Sequence, residues 1–298
     1  MKIVIFGAGA IGSLFGSFLS TNNDITLICR KSHANKIRKS GLRVTGISKS
    51  IVKVKAETSV NKINFSPDLL IIAVKSYDTE LAIKQAKKII NQNTTILSLQ
   101  NGLDNIEKIS KHIPLKQLIA GVTTHGSFFT KPGVIKHTGK GSTILGEING
   151  VKTKRIVSIV KNFNKSGIKT KTSCSIRDEI WVKAIINSSI NPLTTFFQCK
   201  NGYLIENPIL ENLVERICIE STKIANAYGV KLSYQDMINI TKNVIENTQD
   251  NYSSMLQSYK YRKKTEIDSI NGKLSIIGKK CKINTFLNDL LIKAITSL

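Results

Sequence analysis

Acidic residues are scarce in this chain of 298 residues: 20 Asp and Glu stand against 44 Lys and Arg, for a formal net charge of +24. A field of that sign attracts polyanions, which raises the question of nucleic acid. The lysines run along the whole chain without forming an arm or a block, and they accompany Ile and Asn, the mixture that AT-rich coding produces. That distribution predicts no dedicated nucleic-acid surface. Cysteine is sparse as well. Cys29, Cys174, Cys199, Cys218 and Cys281 are scattered, odd in number and free of any C-x-x-C pair, which speaks against a zinc site or a disulfide framework and fits a reducing cytoplasm. The four histidines, His33, His112, His125 and His137, lack metal-ligand spacing, so no metal is expected. No apolar run approaches the roughly 18 residues that a membrane-spanning helix needs. The opening "MKIVIFGAGAIGSLFGSFLS" imitates a secretion signal, but glycines interrupt it and no A-x-A site follows.

The composition that remains is that of a folded protein. Its 41% hydrophobic residues suffice for real cores, and the length suits one large domain or two of ordinary size. Residues 2–6 read as a strand, 10–20 as an apolar helix, "DITLICR" (24–30) as a second strand and 32–40 as a polar helix. "LRVTG" and "SIVKVKA" alternate like a hairpin pair. "DLLIIAV" (68–74) is the near-continuous apolar run of a strand buried on both faces, and a helix near 77–91 and the strand "TTILSLQ" (94–100) follow. Strands alternating with helices in this way form a parallel sheet. Residues 118–148 turn β-rich, with glycine turns that suit antiparallel strands on the sheet's edge. After a helix near 152–165 and the strand-like "KSGIKTKTSCSIRDE", helical periodicity runs to the end. The expected fold is α/β: an N-terminal Rossmann-type doubly wound sheet over residues 1–172, then an all-helical C-terminal domain over 173–298.

"FGAGAIG" places Gly7, Gly9 and Gly12 in G-x-G-x-x-G order between a predicted strand and a predicted helix. That context is what the dinucleotide mechanism requires. Gly7 permits the tight turn, Gly9 lets a pyrophosphate approach the backbone, and Gly12 lets helix and strand pack closely. The helix N-terminus favours the anion. The second strand then distinguishes the cofactors. An NAD site usually ends that strand with an acid for the ribose 2′-hydroxyl. Here it ends "ICRKS", with Asp24 at the far end and Arg30 and Lys31 where a 2′-phosphate would lie, so NADPH is favoured over NADH.

A second constellation lies downstream. "WVKAIINSSINPLT" carries Lys183, Asn187 and Asn191 at four-residue spacing, which on a helix drifts by only about 40° per step and keeps all three on one side. Such a stripe suits either solvent or a small polar ligand. Pro192 biases Asn191 out of helical geometry, so the stripe is expected to end at a bend. Lys75 and Asn101 follow two buried strands, at the sheet edge where open α/β folds bind ligands, and Glu266 lies far downstream in a helical context.

Taken together, "GAGAIG", "AVKSYD", "LQNGL", "VTTHG" with "PGVIKHTG", "WVKAIINSSINPLT" with "CKNG", and "SSMLQ" with "TEIDSINGKL" resemble the ketopantoate reductases (2-dehydropantoate 2-reductases) in order and spacing, from Gly7 to about Leu274. The resemblance implies NADPH-dependent reduction of 2-dehydropantoate to (R)-pantoate, a step toward pantothenate and coenzyme A. It implies that Gly7, Ala8, Gly9, Ala10, Ile11 and Gly12 hold the cofactor with Arg30, that Lys75 lies beside it, and that Ser127 touches it through its backbone. It makes Asn101 the junction of nicotinamide and substrate, Lys183 the proton donor, and Glu266 an acid contacting cofactor and substrate. Asn187, Asn191 and Asn201 become substrate-binding amides, and Ser254 receives the substrate carboxylate. Glu266 either orients Lys183 or accepts from the substrate hydroxyl.

The partner implied is a small 2-oxo acid, with the chain a monomer or homodimer away from any membrane. Two other readings stay open: a related NADPH-dependent reductase of another 2-oxo acid, or a dinucleotide-sensing or nucleic-acid-binding protein without catalysis. Trp181 and Met255 are expected in cores, His125 and His137 in local hydrogen bonds, and the helix after residue 275 in ordinary packing.

Overall fold

The computed structural model describes residues 1–298, which divide into two compact units. The first comprises Met1–Gln100 and Asn105–Arg177; the second comprises Asn101–Asp104 and Asp178–Leu298. The division therefore runs past residue 172 and assigns the short segment after Gln100 to the helical unit.

The first unit contains β1 (Lys2–Phe6), α1 (Ala10–Leu19), β2 (Asp24–Ile28), α2 (Lys31–Ser40), β3 (Leu42–Gly46), β4 (Ser50–Val52), β5 (Lys55–Glu57), β6 (Leu69–Ile72), α3 (Thr79–Ala86), β7 (Thr95–Ser98), α4 (Asn105–Ser110), β8 (Leu118–Thr123), β9 (Gly126–Lys131), β10 (Val134–Gly139), β11 (Thr143–Glu147), α5 (Lys154–Lys165) and β12 (Thr170–Thr172). Eight strands form the main sheet in the order β12-β11-β8-β7-β6-β1-β2-β5. All its pairs are parallel except β11 with β8. Side chains alternate across its faces. Ile3, Ile5, Leu69, Ile71 and Leu97 join the core on one side, and Val4, Phe6, Leu70, Ile72 and Ile96 join the core on the other. Burial on both faces explains why these strands read as continuous apolar text.

The expectation that residues 118–148 line the sheet's edge needs correction. β8 lies inside the main sheet beside β7, and β11 continues it. β9 and β10 leave it for a second, four-stranded sheet in the order β4-β3-β10-β9. An alternating pattern fixes which face a residue takes but not which sheet a strand joins. The β9–β10 turn holds Gly133 at φ +77°, a left-handed conformation that glycine adopts without penalty.

The second unit is helical: α6 (Ile176–Phe196, which begins at the end of the first unit), α7 (Tyr203–Glu206), α8 (Pro208–Ala227), α9 (Tyr234–Asn247), α10 (Ser254–Lys260), α11 (Asn271–Lys280) and α12 (Phe286–Thr296). No helix is long and apolar enough to cross a membrane. Starts are capped locally. Asn207 Oδ1 accepts from Ile209 N at 3.0 Å and Leu210 N at 3.2 Å, with Pro208 in the first turn of α8, where its missing N–H costs nothing. Trp181 packs with Ile185, Cys218 and Leu274, and Met255 with Ile267 and Ile295.

The predicted bend at Pro192 does not occur: α6 continues through it for four more residues. Proline removes the N–H that would bond the carbonyl of Ser188. That carbonyl instead accepts from Asn271 Nδ2 at 3.1 Å, and Asn271 is fully buried. The same nitrogen donates to Asn288 Oδ1 at 3.0 Å, and Asn288 Nδ2 to Glu220 Oε1 at 2.8 Å, tying α6, α11, α12 and α8 together. Satisfying the orphaned acceptor from a neighbouring helix is what lets the stripe run on.

Candidate active site

In the first unit, the turn between β1 and α1 is shaped by its glycines. Gly7 has φ +99°, and a Cβ there would lie 2.5 Å from Val74 N. A Cβ on Gly12 would lie 2.4 Å from the Gly7 carbonyl oxygen. Both glycines are therefore demanded by the protein's own packing. Gly9 differs: a Cβ there would meet nothing within 4 Å. Its small size leaves an open cradle at the head of α1, as an approaching phosphate would need. The first turn of α1 carries no acidic residue, and the leading N–H groups of a helix lack partners within it. The donors and the open space fit a dinucleotide's pyrophosphate.

Arg30 caps α2 in extended conformation, and both it and Lys31 are exposed just past β2. The acid nearest that end is one the strand text did not reveal. Glu57, on β5, stands in register with Ile28, and its carboxylate is bonded by Arg38 Nη2 at 2.9 Å with Lys62 Nζ at 3.7 Å. Asp24, at the other end of β2, pairs with Lys55 at 3.3 Å. Lys75 follows β6 and opens the turn Ser76–Asp78. Gln100, passed over in the motif "LQNGL", joins the ends of two strands: its Nε2 donates to Val74 O at 2.9 Å and its Oε1 accepts from Ser98 Oγ at 3.2 Å. Ser127, on β9, donates from Oγ to Ala10 O at 3.0 Å.

In the second unit, Lys183, Asn187 and Asn191 share α6. Burial pushes the Lys183 ammonium down from 10.5 to about 8, and the Glu266 carboxylate pulls it partly back up. Glu266 itself is 6% exposed. The structure thus brings together two groups 83 residues apart in sequence. Glu266 precedes a short turn, Ile267–Ser269, and Ser269 N donates to its carbonyl at 3.1 Å. The segment after Asn101 is fastened to that turn: Leu103 N donates to Ser269 O at 3.0 Å, and Ser269 Oγ to Asp104 Oδ2 at 3.3 Å. Gly102, at φ +100°, makes the bend between them.

Asn201 is 93% buried, if its 7% exposure is subtracted from the whole, and its Nδ2 donates to Thr248 Oγ1 at 2.9 Å while its Oδ1 has no partner. An orphaned buried acceptor is costly unless a ligand supplies a donor. Ser254 is the first residue of α10 and is exposed, whereas its neighbour Ser253 is buried. Ser253 Oγ accepts from Thr194 Oγ1 at 2.8 Å and from Leu256 N at 3.2 Å, so it caps α10 and anchors it to α6. Ser253 and Asn271 escaped the sequence reading because their partners lie 59 and 83 residues away. Arg30, Lys75 and Ser127 belong to the first unit; Asn101, Lys183, Asn187, Asn191, Asn201, Ser254 and Glu266 belong to the second.

Comparison with known proteins shows the family. Residues 3–150 match the family model described as "Ketopantoate reductase PanE/ApbA", and residues 175–298 match the model of its C-terminal part. A 2-dehydropantoate 2-reductase of Pyrococcus abyssi is 40% identical over 292 residues, covering 98% of this chain and 95% of that protein. One from Pyrococcus horikoshii is 38% identical over 302 residues, covering 100% and 98%. Among solved structures, D-mandelate dehydrogenase with NADH and anilino(oxo)acetate superposes with a TM-score of 0.95 at 28% identity, over 100% of this chain and 98% of that one. A PanE/ApbA family ketopantoate reductase from Ralstonia eutropha JMP134 gives 0.91 at 28% identity, over 99% and 97%.

Proposed function

Since the chain belongs to the ketopantoate reductase family, an oxidoreductase family with a Rossmann-type fold, we propose that it reduces 2-dehydropantoate to (R)-pantoate with NADPH, on the way to pantothenate and coenzyme A. The observation that carries this reading is Lys183: an ammonium lowered to about 8 by burial, beside Glu266, on a helix whose next two turns present Asn187 and Asn191.

NADPH, when bound, supplies the hydride. The chain's own groups hold the reactants and manage the proton. The N–H groups of Ala10, Ile11 and Gly12 at the head of α1 would hold the pyrophosphate at the gap beside Gly9, and Arg30 would pair with the 2′-phosphate. Lys75, the backbone at Ser127 and Asn101 would contact the cofactor. As the ketone carbon is reduced, negative charge grows on its oxygen. Lys183 donates a hydrogen bond to that oxygen and then the proton that makes it a hydroxyl. A lysine near pH 8 is well matched, because it is still protonated at neutral pH yet gives its proton up readily. Glu266 holds the ammonium in place. Asn187, Asn191 and Asn201 bond the substrate's oxygens without adding charge, and Ser254 receives its carboxylate.

The test is loss of NADPH absorbance when purified protein meets 2-dehydropantoate, with NADH as parallel cofactor and pyruvate and phenylglyoxylate as parallel substrates. Turnover that prefers NADPH and 2-dehydropantoate supports the proposal; absence of turnover with any pair refutes it. A second reading, reduction of a different 2-oxo acid with NADH, is favoured by the close superposition on D-mandelate dehydrogenase. It predicts that phenylglyoxylate with NADH wins.

A further inference from the structure

His33 lies on α2, is 2% exposed, and has no part in the chemistry described. Its hydrogen bonds have a fixed direction. Gly133 N donates to Nδ1 at 2.8 Å. A backbone N–H can only donate, so Nδ1 accepts and the proton of the neutral ring sits on Nε2. Nε2 faces Ser13 Oγ at 3.1 Å, and Ser13 Oγ donates to Ala8 O at 3.1 Å. The chain of donors therefore runs one way: Gly133 to His33, His33 to Ser13, Ser13 to the carbonyl of Ala8. Its first member is the left-handed turn between β9 and β10, itself pinned by Arg43 N donating to Gly133 O at 2.9 Å. Its last member is in the glycine turn. Phe129, from β9, packs edge-on against the imidazole with ring centroids 4.9 Å apart. Burial holds the ring neutral, with its pKa pushed down to about 4.

The position of the Ala8 oxygen matters because a carbonyl oxygen aimed into an anion site repels the anion; the N–H on the same peptide, that of Gly9, donates to Gly7 O at 2.7 Å. Ser13 is fully buried, so the oxygen it holds is turned into the protein. Resting on the reading of the glycine turn as the dinucleotide site, we propose that His33 is a positioning residue for the cofactor: through Ser13 it locks the Ala8–Gly9 peptide with its oxygen away from the pyrophosphate, using the small four-stranded sheet as a strut. Ser127, from the same sheet, adds a parallel bond to Ala10 O.

The experiment measures NADPH binding by nicotinamide fluorescence, melting temperature without cofactor, and steady-state kinetics, for wild type, His33→Leu, His33→Gln, Ser13→Ala and the double variant His33→Leu/Ser13→Ala. The expected result is an NADPH Kd raised about tenfold in His33→Leu, with KM for NADPH rising in step and kcat at saturating NADPH changed less than about twofold. His33→Gln, which keeps one acceptor and one donor, recovers most of the affinity. Ser13→Ala weakens binding similarly, and the double variant is no worse than the weaker single one, because both break the same relay. An unchanged Kd in a folded His33→Leu, or strictly multiplicative losses in the double variant, overturns the inference while leaving the cofactor site standing. A wild-type chain that binds neither NADPH nor NADH overturns the inference together with the reading beneath it.

Discussion

The glycine turn and the stripe on α6 present polar groups by opposite means. At the turn the donors are backbone N–H groups, and the side chains matter by their absence: the protein itself would collide with anything larger at Gly7 and Gly12, while at Gly9 a Cβ would meet nothing, which leaves the space that the proposed cofactor needs. On α6 the backbone is an ordinary helix, and the polar groups are side chains spaced by its pitch. A backbone site depends on local geometry that a few residues dictate. A side-chain site depends on what surrounds it, as Lys183 does on burial and on Glu266.

The difference can be broken most forcefully at the stripe. Lys183→Ala is expected to lower kcat for 2-dehydropantoate by about 100- to 10,000-fold while leaving NADPH Kd within about twofold, measured by absorbance and fluorescence titration. Equal loss of binding and turnover would mean that the stripe and the turn do not divide the work.

At the turn, Gly9→Ala and Gly7→Ala separate ligand from packing. Gly9→Ala should keep its melting temperature within about 2 °C yet bind NADPH about tenfold or more weakly, because its methyl occupies the cradle. Gly7→Ala should lose stability first, since its methyl meets the backbone of Val74 at 2.5 Å and its φ of +99° strains any side chain. A Gly9→Ala protein that melts early but binds normally would reverse the assignment.

Smaller effects sharpen the comparison. Arg30→Ala is expected to weaken NADPH about tenfold in a direct titration and leave NADH unchanged. Asn271→Leu should cost about 1–3 kcal/mol in urea unfolding, because the Ser188 carbonyl is left buried without its donor. In a Pro192→Ala background, where residue 192 regains its own N–H, the same substitution should cost about 1 kcal/mol less. Equal costs in both backgrounds would mean that Asn271 does not stand in for the missing helix bond.

What could be read in the sequence follows the same division. β1, β2, β6 and β7 were plain because burial on both faces writes itself as unbroken apolar text, and the turn was plain because Gly7 and Gly12 leave no room for a side chain. The stripe was plain as a helix face, but proton donation by Lys183 came from family resemblance, and its electrostatic partner lies too far along the chain for spacing to reveal. Three features were illegible for the same reason. The second sheet pairs β3 with β10, about 90 residues on by the register of Val44 with Ile135. The passage of α6 through Pro192 rests on Asn271. The relay into Ala8 joins Gly133 to His33 across 100 residues. Local pattern carries periodicity and backbone constraint, while hydrogen bonds across such separations exist only once the chain has folded.

Titration of the proton donor tests the proposed chemistry most directly. On the proposed mechanism reduction needs Lys183 as ammonium, and burial sets its pKa at about 8, so the protonated fraction declines as pH rises through that value. The measurement is kcat/KM for 2-dehydropantoate on the NADPH-loaded enzyme from pH 6 to 10, which reports the pKa of the enzyme before substrate binds. A plateau below pH 8 followed by about a tenfold fall per pH unit above it is the predicted result. A profile that stays flat to pH 10, or one that rises through pH 8, would contradict Lys183 as the acid.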